Sequence, residues 1–166
     1  MAKQPILMII MLILGVLLLI VGVTQYGPDK NTPILPEFTS NETLVAFVES
    51  ATDYAKEHGR EKALAEFSNP NGSFVNGELY IYAYDFNGVL LAHPFDHEMI
   101  GVNRLKETDA EGGLFITDLR DMALTGNGFV RFYYMNPAHD QAVQAKRGYV
   151  KKVDDDWWLG SGIYTK

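Results

Sequence analysis

The chain has 166 residues, with 21 acidic against 14 basic side chains and a formal net charge of −7. An acidic chain without a cluster of Lys and Arg lacks the surface that duplex binding requires, which argues against a nucleic-acid partner. The absence of cysteine excludes disulfides, thiolate metal sites and a cysteine nucleophile.

The N-terminal segment is strongly apolar. Residues 6–23 contain no charged side chain and consist of Ile, Leu, Val, Met and two glycines. A helix of this length approaches the thickness of the hydrocarbon core of a bilayer, so residues 5–24 are predicted to form a transmembrane anchor. Lys3 precedes the span, which places the N-terminus in the cytoplasm and the rest outside. A cleaved signal peptide is the alternative, although the run is long for one and lacks an A-x-A site.

Prolines separate the apolar segment from the rest of the chain. Pro28, Pro33 and Pro36 interrupt any continuing helix, so residues 25–38 are predicted to be a linker. Residues 39–42 have the T-x-x-E spacing of a capping box, and apolar residues then recur at helical spacing up to Gly59. A second short helix is predicted over residues 60–67.

Beyond residue 72 the hydrophobic period changes from helical spacing to two. The pattern predicts five strands, a tight turn at residues 85–88, a long loop over residues 94–113 and a helix over residues 114–124. The predicted strands are residues 79–84, 89–93, 128–134, 146–153 and 157–164. Helices followed by five mostly antiparallel strands with a helical crossover predict an α+β domain of the PAS-like kind over residues 39–166.

Five short segments follow one another in this region. They are YIYAYDFNGVLLAHP at residues 80–94, IGVN at 100–103, GFV at 128–130, YVK at 149–151 and WLGSGIY at 158–164. Taken in this order, they resemble segments of single Cache domains, which are extracytoplasmic sensor modules of chemoreceptors and sensor kinases. The resemblance implies a long N-terminal helix, a five-stranded antiparallel sheet and a pocket for a small organic ligand, often a short carboxylate.

Three positions depart from the pattern of that family. Tyr82 stands where many members carry tryptophan, and Phe132 and Leu114 stand where tyrosines are common. The two lost hydroxyls imply a less polar pocket, so the identity of the ligand is not carried over. The chain also ends just after Tyr164, where a receptor would enter a second membrane helix, and we therefore expect signalling through a separate kinase or chemoreceptor.

Lys146 is the first candidate for binding an anion. The resemblance implies that it supplies the counter-charge for a carboxylate, which needs a cation and fixed hydrogen-bond donors when it is desolvated. From the residues alone, a solvated lysine at the end of a strand is the alternative.

The other candidate ligand-binding residues are tyrosines and one histidine. Tyr80 and Tyr82 leave one face of a predicted strand together with Tyr84, either as a packed aromatic stripe or as hydroxyl donors to a ligand. Tyr134 is expected to reach the pocket from a later strand. His93 ends the second predicted strand, and titration near neutrality would make binding pH-sensitive.

Metal and catalytic sites find little support in the sequence. His93, Asp96 and His97 suggest a metal site, but Pro94 prevents a helix that would place both imidazoles on one face. The chain has no G-x-S-x-G motif, and no serine is placed to complete a triad. We therefore expect no metal, no cofactor and no enzymatic activity.

The leading prediction is a membrane-anchored extracytoplasmic sensor domain for a small organic molecule, with a short carboxylate as the expected ligand. Its partners would be a separate kinase or chemoreceptor, or a second copy joined through the helix at residues 39–59. The alternative is a structural surface subunit of the pilin kind. Against that alternative, the prolines interrupt the N-terminal helix and Glu37 lies far from the start of the apolar run.

Overall fold

The computed structural model describes residues 39–136 and 139–165. The predicted anchor and linker, residues 5–38, lie outside the described residues. No helix within the described ranges combines the length and the apolar character needed to cross a bilayer.

Two helices open the described region, α1 (Asn41–His58) and α2 (Arg60–Phe67). The Ser40 side chain caps α1 by accepting a hydrogen bond from the backbone N–H of Thr43 at 3.2 Å. The capping box predicted to start at Thr39 is therefore wrong by one residue, because Ser40 holds the extended backbone of an N-cap, with φ −77° and ψ 160°. Gly59 separates the helices at a positive φ of 83°, which glycine adopts without a steric penalty.

The remaining elements include seven described strands and one helix. The strands are β1 (Val75–Asn76), β2 (Leu79–Tyr80), β3 (Tyr82–Asp85), β4 (Leu90–Ala92), β5 (Asn127–Asn136), β6 (Ala142–Lys152) and β7 (Trp157–Tyr164). They form a small hairpin and a five-stranded antiparallel sheet in the order β4-β3-β7-β6-β5. This arrangement confirms the predicted PAS-like α+β architecture, including the helical crossover, α3 (Phe115–Leu124), before β5. A short 3₁₀ helix, His97–Met99, lies in the long loop between β4 and α3.

The prediction of one strand over residues 79–84 is wrong. β2 pairs with β1 in the hairpin, whereas β3 joins the main sheet between β4 and β7. The break falls at Ile81, whose backbone N–H donates to the Phe74 carbonyl at 3.3 Å instead of to the main sheet. Tyr80 therefore sits where the hairpin meets the main sheet.

The sheet separates two hydrophobic clusters, because successive residues of a strand point to opposite faces. Trp157 and Leu159 of β7 pack with α1 and α2 on one face. Trp158, between them, packs on the other face with Tyr82, Tyr84 and the inner side of α3. The tyrosines of the predicted stripe therefore lie on the α3 side.

Replacing Ser40 by alanine should lower the free energy of unfolding by about 1 kcal/mol, because the N-terminal amides of α1 lose their cap. Urea denaturation of the variant and the unmodified chain measures this difference. The matched control is Thr39→Ala, for which we expect no change. An equal loss in both variants, or a loss confined to Thr39→Ala, would restore the capping box predicted from the sequence.

Candidate functional site

A small cavity of about 30 Å³ lies on the α3 side of the sheet. All five residues proposed from the sequence as ligand-binding line it, and they arrive from β2, β3, the end of β4, β5 and β6. They are Tyr80, Tyr82, His93, Tyr134 and Lys146. Tyr84 and Arg104 extend the polar wall, and the opposite wall is apolar, formed by Phe115, Ile116, Leu119 and Phe132.

Lys146 is buried in this wall, with 2% of its surface exposed. Its Nζ donates to the Tyr80 hydroxyl at 3.2 Å and lies over the rings of Tyr80 and Tyr164, 4.7 Å from each centroid, and of Tyr134 at 5.7 Å. The alternative interpretation of Lys146 as a solvated strand-end lysine is therefore wrong.

The Lys146 ammonium has no carboxylate within 4.0 Å among the described residues, whose ion pairs all involve other cations. Burial lowers its pKa from 10.5 to about 8, and Glu78 opposes that shift only from a longer distance. The aromatic faces compensate part of the desolvation cost. An ammonium has three N–H donors, and the Tyr80 hydroxyl uses one of them, so the site can donate to an incoming anion.

Arg104 is a second buried cation in the wall, and the sequence analysis missed it. Its guanidinium forms a two-pronged ion pair with Glu107, with Nε to Oε2 at 2.5 Å and Nη2 to Oε1 at 2.6 Å. Nη1 donates to the Tyr84 hydroxyl at 3.0 Å. Through this bond Arg104 positions Tyr84, while Glu107 balances the charge of Arg104. In the described part of this wall, Lys146 is then the cation without a carboxylate partner.

The loop that carries Arg104 folds back onto the β3–β4 turn. The Arg104 N–H donates to the Gly88 carbonyl at 2.8 Å, and Leu105 packs so closely that a Cβ at Gly88 would lie 2.2 Å from the Leu105 Cγ. This contact directs Arg104 inward. The available sequence signal was its position directly after the IGVN segment, but a charged residue in an aperiodic loop is ordinarily solvated.

The imidazole ring of His93 is neutral at physiological pH. Its Nδ1 accepts backbone N–H groups from Phe95 at 3.2 Å and Asp96 at 3.0 Å, so the proton of the neutral imidazole lies on Nε2. Burial lowers the pKa of His93 to about 4, although Asp96 opposes the shift. The expectation that His93 titrates near neutrality is therefore wrong, and its Nε2–H is a fixed donor at physiological pH.

The tyrosines of the wall also stay protonated. Burial raises the pKa values of Tyr80, Tyr82 and Tyr134, so their hydroxyls keep the proton that they can donate to a ligand. The Tyr82 hydroxyl lines the cavity and donates a long hydrogen bond of 3.4 Å to the Ser161 carbonyl. Arg131 is exposed, as expected from its position on the other face of β5.

The expectation of a less polar pocket is only partly met. Phe132 lines the wall, as an apolar residue, and its ring stacks on Phe115 with the centroids 5.2 Å apart. Leu114, however, is 43% exposed and does not line the cavity. The polarity that Phe132 removes is supplied by His93 and Arg104.

A larger chamber of about 520 Å³ adjoins the cavity. The two share three lining residues, Tyr80, His93 and Tyr134. The chamber also contains two acidic side chains, Glu78 and Asp96. It offers more room than the inner cavity for the bulk of a small organic ligand.

Comparison with known proteins places this arrangement in a family. The family model of single Cache domain 2 matches residues 47–166. The sensor histidine kinase MctS of Rhizobium johnstonii is 30% identical over 86 residues, which are 51% of this chain and 18% of that kinase. The chain thus spans about a fifth of the length of this curated relative.

Solved structures show the same fold. A methyl-accepting chemotaxis protein from Vibrio parahaemolyticus superposes with a TM-score of 0.65 and 25% identity, covering 74% of this chain and 86% of that one. A Cache chemosensory domain described as recognising carboxylic acids gives 0.63 and 21%, covering 75% and 92%. A periplasmic sensor domain of a chemotaxis protein gives 0.59 and 20%, covering 75% and 90%. At these identities the last two show the fold alone.

The burial of Lys146 predicts a pH-dependent stability. Its pKa is about 8 when folded and 10.5 when unfolded, so the unfolded chain binds more protons between these values and the free energy of unfolding rises with pH there. Relative to Lys146→Met, the unmodified chain should gain about 3 kcal/mol between pH 7 and pH 11. Urea denaturation across that range measures the difference. A difference that does not change with pH would mean that Lys146 is solvated.

Proposed function

This chain belongs to the single Cache domain 2 family, and on that premise we propose that it is a membrane-anchored extracytoplasmic sensor for a small organic molecule with a carboxylate group. The proposal rests on Lys146, a buried ammonium whose nearest partners among the described residues are a hydroxyl and three aromatic rings rather than a carboxylate. A ligand carboxylate would complete this site.

The donors around Lys146 suit one carboxylate group. The ammonium would form a charge-assisted hydrogen bond with one oxygen, and the His93 Nε2–H and the Tyr134 hydroxyl are donors in the same wall. The apolar wall opposite, including Phe115 and Phe132, keeps water out and so strengthens these electrostatic contacts. The Cache chemosensory domain that is described as recognising carboxylic acids has the same fold as this chain, which supports the same class of ligand here.

Strand β6 offers a route from the ligand to α1. Lys146 points into the site, and its neighbour Arg147 donates to the side chain of Asn41, the first residue of α1, at 3.1 Å. Further along β6, Lys151 forms an ion pair with Glu49 of α1. A shift of β6 on ligand binding would therefore be transmitted to the helix that follows the predicted linker.

The proposed function includes a partner that receives the signal from α1. Residues 5–24 would anchor the domain in the membrane, and α1 would pass the change to a separate kinase or chemoreceptor, or to a second copy of the chain. The chemotaxis proteins and the sensor kinase that it resembles support a signalling partner. Membership of the family favours this sensor over the pilin-like alternative.

Replacing Lys146 by methionine should weaken carboxylate binding by one to two powers of ten, because a hydrogen bond to a charged group contributes about 1.5–3 kcal/mol. Isothermal titration calorimetry of the full chain with acetate, propionate, glycine and glycine betaine measures the affinities. Lys152→Met, a lysine of the same strand that lies outside the cavity, should leave them unchanged. Unaltered affinity of the Lys146 variant for every ligand that binds would remove this residue from the site.

Carboxylate affinity should be constant from pH 5.5 to about 7.5 and then fall, approaching tenfold per pH unit, above the Lys146 pKa of about 8. The free protein loses the ammonium proton there, whereas His93, with a pKa of about 4, does not titrate in this range. Calorimetry with propionate or glycine betaine avoids titration of the ligand itself, and two buffers of different ionisation enthalpy reveal proton uptake near pH 8.5. A step in affinity between pH 6 and 7 would instead assign the titration to His93.

A further inference from the structure

The inner cavity is too small for more than part of a ligand. Its volume of about 30 Å³ accommodates about two water molecules, or a carboxylate group. The rest of any larger ligand would extend past Tyr80, His93 and Tyr134 into the chamber of about 520 Å³. The chemistry of that chamber therefore selects the part of the ligand that follows the carboxylate.

We propose that the chamber binds an organic cation, so that the ligand is a short zwitterion whose carboxylate meets Lys146 and whose ammonium group lies between Glu78 and Asp96. This inference rests on the proposed function and specifies the class of its ligand. It applies to amino acids and to their N-methylated relatives, which combine both charges within a few bonds.

The charged side chains of the described chamber lining are both acidic. Glu78 is half-buried and held in place, because its Oε2 accepts the backbone N–H of Tyr164 at 3.0 Å. The Asp96 side chain is 35% exposed and lies 3.6 Å from the Nε2 of His93, which is neutral at physiological pH and does not cancel its charge. An entering cation is attracted by both carboxylates, and a second ligand carboxylate is repelled.

Aromatic rings supply the second element of a cation site. Tyr80, Phe95, Tyr134 and Tyr164 line the chamber together with the two carboxylates. The Lys146 ammonium already lies over three of these rings, so Phe95 is the ring of the four that it leaves to a ligand cation. Phe95 is 54% exposed, and its centroid is 5.4 Å from that of Tyr80. Ammonium and methylated ammonium groups bind aromatic faces, with each such contact strongest where water is displaced.

The positions of the charged side chains also favour one orientation of a bound ligand. Lys146 lines the cavity and not the chamber, whereas Glu78 and Asp96 line the chamber and not the cavity. A ligand with a carboxylate and an aliphatic tail satisfies only the inner end and places its carbon atoms near two carboxylates. A zwitterion satisfies both ends in one orientation.

Two pairs of ligands of equal shape test this inference on the full chain by isothermal titration calorimetry at pH 7. The pairs are glycine with propionate, and glycine betaine with 3,3-dimethylbutyrate, in which only the positive charge distinguishes the members. We expect the zwitterion of at least one pair to bind 10-fold or more tightly than its partner. Glu78→Gln and Asp96→Asn should each weaken that zwitterion several-fold without weakening the uncharged-tail partner. Glu98→Gln, the same charge change at an exposed residue outside the chamber lining, is the matched control.

The outcomes separate this inference from the proposed function. Equal or tighter binding of propionate and 3,3-dimethylbutyrate, abolished by Lys146→Met, would overturn the zwitterion and leave the carboxylate sensor intact. A zwitterion preference that survives in both Glu78→Gln and Asp96→Asn would also overturn it. Failure of all four compounds to bind at millimolar concentration would overturn the inference together with the carboxylate sensor.

Discussion

The site depends on a buried lysine that has no carboxylate partner among the described residues. Removing an ammonium from water costs several kcal/mol, and the rings of Tyr80, Tyr134 and Tyr164 return only part of it. The domain therefore keeps a destabilised charge in place, and its lowered pKa is the result. A binding partner that supplies a negative charge would relieve this cost, so that ligand binding and stability become linked through a single side chain.

The burial of the Lys146 charge also explains the roles of the strands and side chains around it. Strand β6 is paired on both sides, with β5 and β7, and this pairing positions Lys146. Glu107 balances the neighbouring cation Arg104, and the backbone contacts of His93 Nδ1 hold its ring as a neutral donor. In the described part of the chain, the wall thus contains several donors and one charge without an ion-pair partner, that of Lys146. With the acidic chamber outside it, this asymmetry gives the site its proposed preference for a ligand that carries both signs.

Much of the fold was predictable because local patterns agreed with the tertiary structure. The apolar run of β7 and the helical spacing of α2 predicted the observed bounds, Trp157–Tyr164 and Arg60–Phe67. The break at Ile81 was not predictable, because strand-forming residues continue across it and only pairing with the distant β1 interrupts the strand. Arg104 was missed for a similar reason: its burial depends on the contact of its loop with Gly88, which leaves no periodic trace in the sequence.

Nuclear magnetic resonance of the chain labelled with ¹³C at lysine Cε follows the titration of Lys146 itself, the buried charge on which the site rests. We expect a pKa near 8 in the free protein, and a rise of at least one unit when glycine betaine or another bound carboxylate saturates the site. A Lys146 titration near 10.5 in the free protein, unchanged by any ligand that binds, would contradict it.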